Sequence, residues 1–563
     1  MNDPRDIAEL LEAGLVRHRA GDLDGARAAY GAALETDPDN PQAHRLMGVA
    51  LGQGGHIEEA EQHLRRAVEA APEEATGWDN LGLVLRNLGR ADEAAEAFER
   101  ALRLNPRLVS AQFNLGQLHQ MRGEAGKAAD CYRAALETAP DFAPAHGALG
   151  TALIALEEAK EARRHLERAI ALAPEDPLAR YNIGVLEAAQ GDREAALAAY
   201  DAALALRPDY ADALLNGATA FQGLGRLDEA VERCTRALAL RPDWPEAHWN
   251  RALARLQAGE LTDGFAEYAW RWGCAGFVSA RRSYPWPHWD GTPLNGRKLL
   301  IWAEQGVGDQ AFFAGMIADL AEAGADLVVT CEPRLVPLFS RSFPEATILP
   351  EGEGDDPAVL NTAPDLQCPM GALGHHLRPN MEAFPTRASY LRADPDLITR
   401  LRTRYAPTNG GPRIGISWRS GNRNNGTERS VPLSAWKPAL ERAGGQIVSL
   451  QYGEVGREVA AFREAADVDV VMDGEVDPTK DLDAFAAQIA AVDLVISVDN
   501  TTVHFAGALG IPTHVLLPLA SDWRWFQDRS DSPWYPSIKL HRQNRPRDWT
   551  QTLAALTREL ARN

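Results

Sequence analysis

Cysteine is scarce in this chain, and what there is stands apart: Cys131, Cys234, Cys274, Cys331 and Cys368 form no C-x-x-C pair among 563 residues. An odd, scattered set excludes a disulfide framework and a cysteine zinc site, and it predicts a reduced, cytoplasmic setting. Long apolar runs are missing too: nowhere do 18 apolar residues follow one another, so no membrane span is expected. Met1 to Arg5 lead into a charged helical pattern rather than an apolar secretory segment. Positive charge is in deficit, with 58 Lys and Arg against 79 Asp and Glu and a net charge of −21. That balance argues against a protein that coats nucleic acid or anionic lipid, and it leaves room for a local basic groove. The 45% hydrophobic fraction excludes wholesale disorder. At about 100–200 residues per domain, the length predicts three or four units.

What the chain has in abundance is a period. Pro38, Pro72, Pro106, Pro140, Pro174, Pro208 and Pro242 are spaced by 34 residues, and Gly14, Gly48, Gly82, Gly116, Gly150 and Gly184 keep the same step. Two alanine ladders, from Ala26 to Ala230 and from Ala33 to Ala237, run in phase with them. The pattern predicts two helices per repeat. Glycine and alanine let the helices approach, and a large residue (Tyr30, Leu64, Phe98, Tyr132, Leu166, Tyr200) fills the groove between them. The proline closes the second helix, since it has no N–H to continue the ladder. Together these features resemble the tetratricopeptide repeat over about residues 7–275, with seven full repeats. A degenerate eighth is marked by Trp249, Asn250, Ala252, Gly264 and Tyr268, and the solenoid is placed at residues 1–278.

One further ladder is not demanded by packing. Asn80, Asn114 and Asn182 stand two residues before the repeat glycine, and Asn216 and Asn250 hold the same phase. On the concave face, carboxamides would match the N–H and C=O groups of an extended peptide; the alternative is that they bond only to neighbouring helices. The ladder resembles that of the O-linked N-acetylglucosamine transferases, which implies peptide binding. The phase breaks at Glu12, Leu46 and Ala148, so the groove is expected to form best toward the C-terminal repeats.

After Trp272 the rhythm stops. Residues 279–296, with Trp286, His288 and Trp289 among prolines, read as an ordered, aromatic-anchored linker. Short β-rich runs then alternate with helical patterns, the mark of parallel α/β layers. Strands are expected at Lys298–Ala303 and Asp326–Cys331 in a first subdomain (297–405), with a helix from about Gln310 to Ala323 between them. A second subdomain (406–545) is expected to place strands at Arg413–Trp418, Gln446–Gln451, Asp467–Met472, Asp493–Val498 and Thr513–Leu517. A terminal helix (546–563) is expected to pack back across the first subdomain. The fold class is therefore an α-solenoid followed by two Rossmann-like subdomains facing a cleft, where such sheets bind ligands.

Three loops at strand ends carry the chemistry. In Glu304-Gln305-Gly306-Val307-Gly308-Asp309, Asp309 is either a helix cap or a general base on the cleft floor. The loop from Arg419 to Arg429, including Arg423, offers three guanidinium groups and many amides to a phosphate, or is a solvated surface loop. At Asp499-Asn500-Thr501-Thr502-Val503-His504 a strand turns directly into a helix start that suits a diphosphate. His504 either reaches that ligand or packs. The segment Asp522-Trp523-Arg524-Trp525-Phe526 either stacks on a sugar or packs in the core. Asp355-Asp356 reads as a solvated acidic loop, and no paired-carboxylate metal motif stands at a strand end.

The Gly308-Asp309 loop and the Asp499–His504 turn resemble the ADP-heptose:lipopolysaccharide heptosyltransferases and related GT-B glycosyltransferases. Ala303–Asp309, Ser497–Gly510 and Asp522–Tyr535 also resemble bacterial tetratricopeptide-fused glycosyltransferases, including those that modify flagellin. The resemblance implies that Asp309 is the catalytic base and that a cation, Arg429 or else Arg419 or Arg423, contacts donor phosphate. It assigns Asp499, Thr502 and His504 to the diphosphate and donor sugar, where Thr501 adds a further hydroxyl donor. It sets Glu454 near the donor ribose, and Gln451 is counted among the donor-binding residues. Asn500-Thr501-Thr502 replaces a threonine and a glycine of the heptosyltransferases, so donor identity does not carry over. The reading is an inverting, metal-independent protein O-glycosyltransferase without cofactor, taking a nucleotide sugar as donor substrate and Ser or Thr of a groove-bound protein as acceptor, with flagellin the acceptor implied. Two alternatives stand beside it: a non-catalytic repeat scaffold that senses a nucleotide sugar, and a glycosyltransferase acting on a lipid-linked or polysaccharide acceptor.

Overall fold

The computed structural model describes residues 4–352, 356–407, 410–422 and 426–561; Asp355 and Arg423 lie outside them. Among the described residues, sixteen α-helices run from Pro4–Arg19 to Leu261–Glu267. Seven of them, from Leu23–Thr36 to Leu227–Leu240, each end two residues before a proline of the ladder. The glycine ladder has the reason read from sequence. A Cβ built on Gly116 would stand 2.6 Å from Tyr132 Cε1, and the same conflict joins Gly82 to Phe98 and Gly184 to Tyr200. Tyr132 and Phe98 are fully buried, so glycine is what allows the paired helices to close on them.

Contacts divide the chain into two compact units, Met1–Ala213 and Leu214–Asn563. The last repeats thus belong with the α/β region. In this second unit Gln257 accepts from the backbone N–H of Gln527 at 2.9 Å. Thr262 Oγ1 donates to the Pro379 carbonyl at 2.6 Å. Arg271 and Glu304, both fully buried, pair through two bonds of 2.9 and 2.8 Å, with Arg271 stacked over Tyr268 and Trp272. The linker is held against the α/β region: Gln367 donates to the carbonyls of Tyr284 and Trp286, and Trp289 is buried.

Among the described residues ten strands follow, paired with one another in parallel. The first sheet comprises β1 (Leu299–Trp302), β2 (Leu327–Cys331), β3 (Thr347–Pro350) and β4 (Leu366–Pro369), in the order β3-β2-β1-β4. The second comprises β5 (Arg413–Ser417), β6 (Gln446–Ser449), β7 (Val470–Val471), β8 (Leu494–Val498), β9 (Thr513–Leu517) and β10 (Ile538–Arg542), in the order β10-β9-β8-β5-β6-β7. Both are doubly wound, with the chain reversing direction between β1 and β4 and between β5 and β8. The sequence did not mark β3, β4 and β10, which sit at sheet edges and carry proline or alternating charge. The expected strand at Asp467–Met472 shrinks to the two residues of β7.

The last helix, Thr550–Leu560, does not cross to the first subdomain. Leu556 and Leu560 join Trp418, Trp436, Leu440 and Leu516 in the core of the second. Only seven residues separate it from β10, so it lands on the face of its own sheet.

Candidate functional site

Loops from the carboxyl ends of both sheets enclose a cavity of about 480 Å³. From the first sheet come Gly306–Asp309, after β1, and Arg334, after β2. From the second come Ser420–Asn422 and Arg429 after β5, Asp499–Thr501 after β8, and Asp522 and Arg524 after β9. Both winding reversals therefore open onto this one space, as ligand sites in such sheets do. The subdomains approach closely here: a Cβ on Gly308 would lie 3.2 Å from Thr501 Oγ1 and 3.4 Å from His504 Cδ2.

Asp309 lines the cavity at the third position of the Val307–Glu322 helix, where Gly306 is the N-cap. Its Oδ2 accepts from the Gly306 N–H at 3.0 Å, which fixes the carboxylate. Its Oδ1 accepts from Arg524 Nη2 at 2.6 Å. Asp309 is thus both a helix-start acceptor and a cavity group, and both its oxygens are engaged.

Arg524 is the hub. It is 5% exposed, also bonds Asp522 Oδ1 at 2.9 Å, and lies over the rings of Trp523 and Phe312 at 4.7 and 4.8 Å. Burial alone would lower its pKa; Asp522, Asp309 and Tyr268 outweigh that and hold it above the usual arginine value. Arg429 Nη1 lies 3.0 Å from Asp499 Oδ2 and Nη2 3.9 Å from Asp522 Oδ2. Asp499 is almost fully buried and accepts from Trp525 Nε1 at 2.9 Å. Burial pushes its carboxyl up against the pull of Arg429. Burial also works to raise Asp522, but Arg524 and Arg429 prevail and hold it below the usual carboxylate range. Arg429 Nε and Arg524 Nε are buried without a hydrogen-bond partner. The wall so built alternates guanidinium and carboxylate groups, Arg429 and Arg524 against Asp309, Asp499 and Asp522.

The helix start at Thr501 is organised by Asn500, whose Oδ1 accepts from the Thr502 N–H at 3.0 Å and whose Nδ2 donates to Ser417 at 2.7 Å. Thr501 faces the cavity. Thr502 does not: its side chain is fully buried and its hydroxyl has no partner. His504 lines the cavity, stacks on Trp525 and contacts Tyr535 Oη through Nδ1 at 3.0 Å. Burial, aided by Arg524, lowers its pKa to about 4, so the ring is neutral at pH 7.

Other expected donor contacts fall elsewhere. Gln451 is buried, and its Oε1 accepts from the Trp418 and Arg419 N–H groups, both at 2.8 Å, so it shapes the β5 loop. Arg419 turns to Glu458 at 3.6 Å and does not line the cavity. Glu454 and Gln451 edge a second cavity of about 310 Å³ at the ends of β6 and β7, which shares Pro478 and Thr479 with the first. Trp523 and Trp525 are core residues rather than a sugar platform. Arg334 and Tyr452 were not singled out in the sequence, and Asp522 and Arg524 were named only within the aromatic run, with no charge role of their own. The only signal for Arg524 was its place in an aromatic run, and burial among rings is what makes it rigid.

The asparagine ladder is largely spent inside the solenoid. Asn182 is buried and donates to Thr151 Oγ1 at 2.9 Å, and Asn250 donates to Thr219 Oγ1 at 3.0 Å. Asn114 accepts from Arg86 Nη1 at 3.1 Å; Asn80 and Asn216 are half-buried. Within the first unit a groove of about 680 Å³ lies over the middle repeats, lined by Phe113, Gln117, Pro144, Ala148 and Leu178 among others. It opens where Gly147 and Ala148 leave room, not toward the C-terminal repeats, and Met121 and Leu178 stand exposed at it.

Two tetratricopeptide repeat models match the chain, one over residues 17–81 and 187–256 and the other over residues 80–143 and 148–211. Tetratricopeptide repeats thus fill its N-terminal half. The chain is 34% identical over 323 residues to Protein FlbA of Caulobacter vibrioides, covering 54% of this chain and 53% of that protein. It therefore spans about half the length of the curated relative it matches. Among solved structures it is similar to the Cut9–Hcn1 hetero-tetramer of APC/C (21% identity, TM-score 0.37, 47% of this chain and 52% of that one). It is also similar to YrrB, a TPR protein with an unusual peptide-binding site (26%, TM-score 0.28, 33% and 95%). A third likeness is to Pseudomonas aeruginosa pilF (20%, TM-score 0.34, 38% and 96%). Among the described residues no helix is long and apolar enough to cross a membrane.

Proposed function

We propose that this protein is an inverting, metal-independent O-glycosyltransferase that moves a sugar from a nucleotide donor to Ser or Thr of a protein held by its repeats. The observation that carries the reading is one aspartate, bonded to Arg524, that lines with Arg429 and a helix start a cavity fed by both sheet reversals. Asp309 accepts the proton of the acceptor hydroxyl as its oxygen attacks the anomeric carbon; the bond from that carbon to the diphosphate breaks on the opposite face. Arg429, Arg524 and the Thr501–Ala508 helix dipole neutralise the departing diphosphate. Arrival of the donor draws Arg524 off Asp309 and frees the base. The 310 Å³ cavity beside Glu454 has the place and polarity for the nucleoside. The resemblance of the Asp309 and Asp499–His504 segments supports a GT-B donor site, and the acceptor it implies is flagellin.

Asp309→Asn is expected to lower transfer by about 10²–10⁴-fold while acceptor and donor binding change less than about threefold. Full activity in that variant removes Asp309 from the reaction. A second reading has its own observation: with Gly306 and Arg524 occupying both oxygens, Asp309 is also what a non-catalytic nucleotide-sugar sensor would show. Tight donor binding with no transfer by the native chain to any acceptor protein decides for the sensor. A lipid-linked or polysaccharide acceptor is favoured by asparagines already bonded to Thr151 and Thr219. Transfer by the native chain to a lipid-linked or polysaccharide acceptor, with none to any protein, would decide for it.

A further inference from the structure

Apart from the cleft, three metal-ligating side chains from three elements converge under the last helix. His514 on β9, His541 on β10 and Glu559 on the Thr550–Leu560 helix bring one ligand atom each to within 4.8 Å of one another. None of them lines the 480 Å³ cavity. In the parallel register His514 faces Lys539 and Leu516 faces His541, so both imidazoles lie on the sheet face that the last helix covers. Beside them, Leu516 on the sheet meets Leu556 and Leu560 of the helix, and Lys539 stands at the exposed edge. Two imidazoles 3% and 8% exposed are an expensive choice there if packing were their purpose.

The spacings fit a common ligand. His514 Nδ1 and His541 Nε2 are 2.9 Å apart, and His541 Nε2 is 3.6 Å from Glu559 Oε2. Donors bound at about 2.0–2.2 Å in tetrahedral geometry are separated by roughly 3.3–3.5 Å, so small shifts admit an ion between them. The other carboxylate oxygen, Glu559 Oε1, is held by Lys539 Nζ at 2.6 Å, which orients Oε2 inward and balances the apo site's charge. The proton between the two facing nitrogens must move to the far nitrogen of its ring on coordination, a tautomer change that releases nothing. Glu559, 30% exposed, leaves a route from solvent and room for a water as fourth ligand.

We propose that His514, His541 and Glu559 form a structural site for a divalent transition-metal cation of the zinc class, which ties the last helix to the edge of the second sheet. The proposal stands apart from the glycosyltransferase reading. Its test is calorimetric titration of the full-length, chelator-stripped protein with Zn²⁺, and absorption titration with Co²⁺. One tight equivalent is expected, with the weak visible bands of nitrogen and oxygen ligation and no thiolate charge-transfer band. Glu559→Gln, on the outer side of the site, is expected to keep the fold and weaken Zn²⁺ at least tenfold, and His514→Gln more; His63→Gln in the repeats serves as the unaffected control. No stoichiometric binding by the stripped native chain, a thiolate spectrum, or affinity unchanged in Glu559→Gln would overturn it. Such a result leaves the cluster as a hydrogen-bonded staple.

Discussion

At the scale of single residues, His504 links burial to pH. Its folded pKa of about 4 lies below the ordinary histidine value, so the unfolded chain takes up a proton first as pH falls. The stability it contributes is complete above about pH 6.5 and is lost between there and pH 4, at most on the order of 3 kcal/mol. Urea unfolding of His504→Gln, followed by the tryptophans of the second unit, is expected to show a shallower decline over that window. An equal slope would mean the ring is not held neutral. Glu157 offers a second case. It takes φ 61° at a turn where other repeats place Gly21, Gly55, Gly89, Gly123, Gly191 and Gly225, all at positive φ. Glu157→Gly is expected to stabilise the repeat unit by about 1 kcal/mol, read as a rise in melting temperature. Asp309 and His504 were legible in the sequence because strand–loop–helix junctions announce themselves. Arg524 was not, since its partners Asp309 and Phe312 meet it only after two subdomains close. Thr502 failed for the opposite reason: adjacent to a cavity residue on a helix, it faces the core.

At the scale of elements, the repeat helices were readable because one contact recurs. Gly116 against Tyr132 is that contact, and Gly116→Ala, whose Cβ would stand 2.6 Å from the ring, is expected to cost about 1–3 kcal/mol. Circular dichroism melts compare it with Gly126→Ala, where a Cβ meets nothing and the change is expected to be neutral or stabilising. The α/β strands were readable where both faces are buried, as in β1, β5, β8 and β9. They were lost at the edges, where β3 is half exposed and β10 alternates Lys539 with Leu540. The Arg271–Glu304 pair was invisible because its partners belong to the last repeat and to the β1 loop. Removing one member strands a buried charge, so Arg271→Met is expected to destabilise the second unit by about 3–5 kcal/mol in denaturant unfolding. The double variant with Glu304→Gln recovers part of that loss.

At the scale of the whole molecule, the three or four units implied by length become a repeat array, whose last members join the α/β region, and two parallel sheets that share one cavity. The charge of −21 excludes a polyanion coat yet sits beside a wall where Arg334, Arg429 and Arg524 meet the ligand space. The central claim is that this wall serves transfer of a sugar to a protein. Intact mass spectrometry of flagellin from cells carrying the native chain, its Asp309→Asn variant, or no copy tests it most directly. The account predicts glycosyl mass increments in the first and their loss in both others; increments that persist without the protein would contradict it.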